Sequence, residues 1–348
     1  MRIKIQRIIL LTFLVVIAFL KVNAQGCSEP SSEEGVSVFG FVQPQIEVGF
    51  TDPSTSTFSF ERSRLGVMGN IPYDFSYYMV LELSPFLNKE VPYPTLLDAF
   101  VSYTRFDFLK VSMGSFKSPF GFETNTPCSG LSTIYRSKAT LELNAPFRDL
   151  GLMFLGGSRE TKLEYAVGLM NGTGLGHRDD NHFKDVVARV GVNPFTWLHV
   201  GGSFKYGQAP SAASLPDPDV RTRIGGEADM NFGKLIVQCE YIFAKDQGSS
   251  IVGGGCSGGG EVVIGDKTRS GGFVQAMYNI NYMIQPVVKF ELYDADGAIK
   301  NNEEYITTLG LNYFFNDWTR LQVNYRYAAE MPVDLPNDQF VIQLQVKF

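Results

Sequence analysis

The sequence predicts an all-β fold: a transmembrane antiparallel β-barrel of about sixteen strands, with short turns on one side of the membrane and long loops on the other. Three observations carry that prediction. Apolar and polar residues alternate with period two along nearly the whole chain after its N-terminal segment. The connections between the alternating runs are tight and long by turns. The composition is a strand-and-turn vocabulary: 35 Gly, 28 Phe and 16 Tyr in 348 residues, with 19% charged against roughly 25% in soluble domains. These numbers argue against a coiled coil, a disordered chain and a nucleic-acid binder. A mean hydropathy of -0.02 and the lack of a second long apolar run argue against a helical membrane protein.

Residues 1–24 read as a secretory signal. Arg2, Lys4 and Arg7 form a basic start, Ile8 to Leu20 is apolar and too short to span a bilayer comfortably, and Val22-Asn23-Ala24 offers small residues for cleavage. Lipidation at the nearby Cys27 is disfavoured because Ala24-Gln25-Gly26 lacks a Leu-like residue three before it. Removing the four basic residues of this segment from the total of 30 leaves 26 against 36 acidic, a net charge of −10. That balance disfavours phosphate-backbone binding further. Residues 25–37 are expected to be a periplasmic N-terminal segment and 38–348 the barrel.

The strands follow in order at 38–50, 57–69, 75–84, 95–104, 108–117, 149–156, 161–170, 185–193, 197–207, 220–230, 234–245, 268–280, 284–294, 304–315, 319–330 and 338–348. In the last of them Phe340, Ile342, Leu344, Val346 and Phe348 alternate with Val341, Gln343, Gln345 and Lys347. Near the start, Val42, Ile46, Val48 and Phe50 alternate with Gln43, Gln45 and Glu47. Short connections include 70–74, 193–196, 231–233 and 316–318. The intervening ones are longer, among them 171–184, 208–219, 246–267 and 294–303, and the longest spans 118–148. Trp197 and Trp318 fall beside short turns, where an interfacial aromatic belt belongs. A soluble sandwich would bury the apolar face and needs no such alternation of loop length. Sixteen strands leave a lumen wide enough for water and small solutes.

Particular runs carry a family resemblance. Phe60-Glu61-Arg62-Ser63-Arg64-Leu65-Gly66, Leu97-Asp98-Ala99-Phe100-Val101, Gly114-Ser115-Phe116-Lys117-Ser118-Pro119-Phe120-Gly121, Arg148-Asp149-Leu150-Gly151 and Lys184-Asp185 followed by Arg189 resemble the phosphate-selective porin O and P family, across essentially the whole mature chain. The resemblance implies a trimeric sixteen-stranded anion porin of the outer membrane whose third extracellular loop folds into the lumen. It leaves the solute open.

Strand parity then sorts the charges. Leu65 and Val67 face lipid, so Arg62 and Arg64 face the lumen; Leu97, Ala99 and Val101 face lipid, so Asp98 faces inward. The same parity turns Lys110, Arg189, Lys205, Arg221, Arg223, Arg269, Lys289, Arg320, Arg326 and Lys347 inward. Inward acids are Glu47, Glu82, Glu164, Glu227, Asp229, Glu240 and Glu291, fewer than the bases. The long loop and its flanks supply Lys117, Arg136, Lys138 and Arg148 as constriction residues. A row of bases lowers the barrier for an anion by replacing its hydration with charge-assisted bonds. The bland alternative is that these are solvated charges paired with acids that brace the barrel.

Other signals carry little. Gly255-Cys256-Ser257-Gly258-Gly259 resembles a nucleophile elbow but sits in a glycine run without strand–turn–helix context. His177 and His182 flank a polar loop and His199 faces the lumen. With three His, none placed beside a Ser nucleophile, the chain is not expected to be an enzyme, and neither cofactor nor metal is expected. The sequence leaves a Cys128–Cys256 bridge open, and Cys239 faces lipid as a small apolar residue. The expected function is passive diffusion of small anions, phosphate above all, with outer-membrane lipid around a homotrimer and no nucleic-acid partner. A general porin of weak selectivity and a plugged structural or adhesive barrel are the alternatives.

Overall fold

Sixteen strands close on themselves in the computed structural model, which describes residues 35–51, 53–177, 179, 182–208, 220–247, 249–252, 261–264 and 266–348. The expected signal at 1–24, Cys27, Cys256 with its bridge, and the glycine run 253–260 lie outside the described residues. The barrel strands are β1 (Ser37–Gly49), β2 (Thr55–Ile71), β3 (Phe75–Glu82), β4 (Thr95–Phe106), β5 (Leu109–Lys117), β6 (Arg148–Gly156), β7 (Leu163–Met170), β8 (Asp185–Phe195), β9 (Leu198–Gln208), β10 (Val220–Phe232), β11 (Leu235–Asp246), β14 (Lys267–Tyr278), β15 (Ile284–Asp294), β16 (Glu303–Phe314), β17 (Thr319–Glu330) and β18 (Gln339–Lys347). Each pairs antiparallel with its neighbours in the chain, and β18 returns to β1 with Val42 opposite Val346 and Ile46 opposite Ile342. Every expected strand is present. The stretch expected as plain loop between β11 and β14 differs: β12 (Ser249–Val252) and β13 (Glu261–Ile264) pair there as a separate hairpin.

Closure is a consequence of solvent. Hydrocarbon cannot hydrogen-bond an open strand edge, so the ladder must satisfy every peptide group itself. Alternation then decides the faces. Met113, Val288 and Leu309 point outward and are exposed, while their inward neighbours Ser112, Lys289 and Thr308 are buried. Leu97 departs from the parity expectation. The β3–β4 register shifts between Val80 and Leu81, and Leu97 drops out of the ladder, fully buried, while Leu96 takes the outward place. Asp98, opposite Val80, keeps the inward orientation that parity gave it.

The short turns are built by residues suited to them. Tyr73 and Asp74 both have positive φ, 69° and 68°, at the β2–β3 turn. Asn316 Oδ1 accepts from the N–H groups of Trp318 and Thr319, each at 2.8 Å, and Asn281 caps its turn in the same way. At this rim Phe195, Trp197 and Phe232 stack at centroid distances of 5.5 and 5.4 Å.

Long connections gather at the opposite rim. One carries α1 (Ser84–Leu87). The longest, 118–147, carries α2 (Phe122–Asn125) and α3 (Lys138–Leu143), the latter capped by Ser137 Oγ accepting from Thr140 N. Instead of standing in solvent, this loop turns into the barrel. Phe120, Ala139 and Leu143 pack on the inward side chains of Met170, Val187, Ile242, Ala244 and Tyr293. A fully buried Phe, Leu, Ile, Val or Met side chain contributes about 1.5–3 kcal/mol. The lumen thus contains an apolar core that alternation alone does not announce.

The two faces make opposite demands on one strand. Leu309→Arg, on the lipid face of β16, is expected to destabilise the folded barrel by about 2–4 kcal/mol if it lies near the midplane, measured by reversible denaturant unfolding from bilayers. Unchanged stability would overturn the assignment of that face to lipid.

Candidate permeation site

The inward loop is fastened around most of the circumference. On one side Ile134 N donates to Asn324 Oδ1 at 2.8 Å, Asn312 and Gln322 amides donate to Ser132 O at 3.0 and 3.2 Å, and Gln345 donates to Ser129 O at 3.2 Å. On the other, Gly121 N donates to Ser203 Oγ at 2.9 Å, Phe122 N and Glu123 N donate to the Glu240 carboxylate at 3.0 and 2.9 Å, and Lys138 N donates to Glu291 at 2.8 Å. β9, β11, β15, β16, β17 and β18 all hold it. Buried loop backbone groups need partners, and wall side chains supply them.

Ion pairs complete the attachment. Lys289 Nζ lies 2.6 Å from Glu123 and 3.6 Å from Glu291, with all three side chains buried. Burial pushes the Glu123 carboxyl up, but the Lys289 ammonium, its hydrogen bond, the Ser137 N–H and Arg136 together hold it below the usual glutamate range. Burial likewise pushes the Tyr135 phenol up, and its hydroxyl donates to Glu47 at 2.6 Å.

The sequence-derived residues divide into groups. Arg64, Asp98, Lys117 and Arg148 come together on the lining of one cavity of about 590 Å³ on the short-turn side of the loop. Arg148 and Asp98 form a bidentate pair at 2.9 and 3.2 Å. Arg64 is bonded to Glu82 at 2.7 Å and to Cys128 Sγ at 3.1 Å. Lys117 donates to the carbonyls of Thr124 and Thr126 and belongs to no ion pair among the described residues. Arg62 and Arg136 line a second cavity of about 340 Å³ with Glu47, Glu61 and Tyr135. Arg62 pairs with Glu61 at 2.9 Å and reaches Ile134 O; Arg136 grips the carbonyls of Glu123 and Thr126. Lys138 and Arg189 stand apart. Lys138 pairs with Glu304 at 3.2 Å, and Arg189 is clasped by Glu164 at 2.9 Å and by Glu227.

Several functional groups escaped the sequence reading. Asp246 is shared by Arg223, at 2.5 Å, and Arg269; Asp185 lies 3.6 Å from Arg221 and 3.9 Å from Lys205. Both acids sit at the loop-side ends of their strands, where parity counted strand interiors only, and they reduce the expected surplus of inward bases. An amide belt also lines the wall. Gln43 bonds Gln345 at 2.7 Å, Gln343 bonds Gln45 at 2.9 Å, and Gln322, Asn312 and Gln285 follow in a chain. Its signal was visible as inward Gln in β1, β17 and β18. Around it, Arg320 is buried, donates to Gln345 at 3.1 Å, and belongs to no ion pair among the described residues.

A closed barrel with an apolar exterior, a charged interior and a loop folded into the lumen defines an outer-membrane porin, a channel rather than an enzyme. The chain belongs to the phosphate-selective porin O and P family, whose profile matches residues 45–215 and 205–348. Among solved structures it is similar to an anion-selective porin from Comamonas acidovorans, at 16% identity and TM-score 0.68 over 91% of this chain and 100% of the other. It is also similar to OmpT of Vibrio cholerae in trimer form (12%, TM-score 0.64, 90% and 99%) and to the outer membrane channel DcaP of Acinetobacter baumannii (11%, TM-score 0.66, 92% and 99%). At these identities the likeness is one of fold. No curated protein matches the chain by sequence.

The Glu123–Lys289 pair generates a test. Glu123→Gln leaves a buried ammonium with Glu291 alone, and a cost of about 3–5 kcal/mol is expected, measured as lost protease resistance of the loop in the folded barrel. A carboxyl held below its ordinary value stabilises the fold above the usual glutamate range and loses that contribution as pH falls through the lowered value. Loop protection is therefore expected to fall on acidification in the native chain and to change less in the variant. Equal protection in both at every pH would overturn the role of this pair.

Proposed function

We propose that this porin passes small anions by passive diffusion, inorganic phosphate among them, along a path set by Arg62, Arg64, Asp98, Lys117, Arg136, Lys138, Arg148 and Arg189. One observation supports the reading above others: the buried carboxylates of the wall and the inward loop are committed, while some cations are not. Glu82, Asp98, Glu123, Asp185, Glu227, Asp246 and Glu291 each face a base, and Glu240 accepts two backbone N–H groups. Lys117 and Arg320 are left with only carbonyl or amide oxygens among the described residues. A neutralised wall with residual positive charge favours an entering anion. A homotrimer is part of the same proposal, supported by the family and by the trimeric relative. The loop fastened across the lumen favours a second reading, a plugged barrel acting through its exterior.

Single-channel recording across a salt gradient decides between them. A conducting, anion-selective channel is expected. Replacing Lys117 by Gln together with Arg320 by Gln removes charge without stranding a buried acid. A unit charge about 4 Å from the path in a water-like medium is worth about 1 kcal/mol, so losing two is worth about 2 kcal/mol and the anion-to-cation permeability ratio is expected to fall about thirtyfold. Arg62→Ala with Arg64→Ala is expected to lower it also. No conductance, or a cation-selective reversal potential, would sink the proposal.

A further inference from the structure

The cavity that collects Arg64, Lys117 and Arg148 has a second wall that the ion-path reading does not use. Inward side chains of β1, β3, β4 and β5 form a row of rings across four strands. Phe39 and Tyr78 have centroids 5.1 Å apart, Tyr78 and Phe100 stack at 5.3 Å, and Phe100 meets Phe116 edge-on at 6.2 Å. All four line the cavity of about 590 Å³. The row is built deliberately by its surroundings. β2 crosses beneath it at Gly66, where a Cβ would stand 2.5 Å from the Phe39 ring; on β5, a Cβ at Gly114 would stand 2.7 Å from Phe100 Cα. Glycine at these two inward positions lets the rings lie along the wall.

Half-buried rings such as Phe39, Tyr78 and Phe100 on the wall of an aqueous channel are not what a strongly hydrated inorganic anion needs. Such an ion asks for donors on every side, and an aromatic face offers none. The charge at the same cavity is specific too. Arg64 and Arg148 are matched by Glu82 and Asp98, while Lys117, next in sequence to Phe116, and Lys347, 5.9 Å over the Trp318 ring, line the same cavity without a carboxylate partner among the described residues. An ammonium beside a ring-lined wall is complementary to a carboxylate attached to a flat apolar body.

The geometry points to a binding subsite for aromatic carboxylates in this lumen, the ring lying against Phe39, Tyr78 and Phe100 and the carboxylate on Lys117. This rests on the anion-channel reading and names a solute class within it. The solute crosses unchanged, so no bond is made or broken.

The test is block of the chloride current by benzoate compared with acetate, which shares the carboxylate and lacks the ring. Benzoate is expected to half-block at about a tenfold lower concentration, the effect of one or two offset ring contacts. In Tyr78→Ala with Phe100→Ala the two anions are expected to converge, each read against the variant's own chloride current. Heat-modifiable electrophoretic migration reports whether that variant has folded; Phe39→Ala, at the end of the row, gives the same convergence in smaller measure if it has not. Equal block by benzoate and acetate in the native channel overturns the subsite, as does a preference that survives both ring variants. A channel that prefers cations defeats the anion reading itself, whereas chloride selectivity without a benzoate preference defeats only the subsite.

Discussion

A peptide group in hydrocarbon has no partner but another peptide group, and the rest of this molecule depends on that constraint. It forces the sheet to close, with β18 returning to β1, because an unpaired strand edge would leave several polar groups unsatisfied. Closure with period-two alternation then gives every strand one face for lipid and one for the lumen. The apolar face carries little information beyond its hydrophobicity. The chemistry of the protein is therefore confined to the inward positions and to whatever the loops place among them.

Inside, two kinds of charge do different things. Glu123 with Lys289, Asp246 with Arg223 and Arg269, and Arg148 with Asp98 are buried and matched. Removing water from such groups costs more than their attraction returns unless each is matched and hydrogen-bonded, so they act mainly as fasteners of fixed geometry. Lys117 and Arg320 are different, since they meet only carbonyl and amide oxygens among the described residues and keep attraction to spare for a mobile anion. A lumen whose acids are satisfied and whose bases are slightly in excess is consistent with a chain that is net acidic, because the remaining acids lie elsewhere.

The loop joins these themes. Its apolar side chains fill the barrel as a core would, its backbone is satisfied by wall glutamates and amides, and it divides the lumen into a cavity with unmatched positive charge on the short-turn side and a more acidic one bearing Glu47 and Glu61. The passage is thus shaped by packing as much as by the diameter of the barrel.

Period-two alternation and turn chemistry suffice to place all sixteen strands, the side of the short turns and the inward orientation of Arg62, Arg64 and Asp98, because a strand's facing is a local property of the backbone. Local reading fails where a ladder slips, as at Leu97, and where strand ends carry charge, as at Asp185 and Asp246. It also cannot tell which bases remain available. Arg189 and Lys117 read alike in the sequence as candidate path cations, yet one is clasped by two glutamates and the other meets only carbonyls. The sequence alone determined that this chain forms a barrel with a charged interior. Only the tertiary structure decided which charges neutralise one another, that 118–147 is fastened across the lumen, and that Phe39, Tyr78, Phe100 and Phe116 form one row. Each of these depends on distances between residues far apart in the chain, which register and closure fix and spacing along one strand does not.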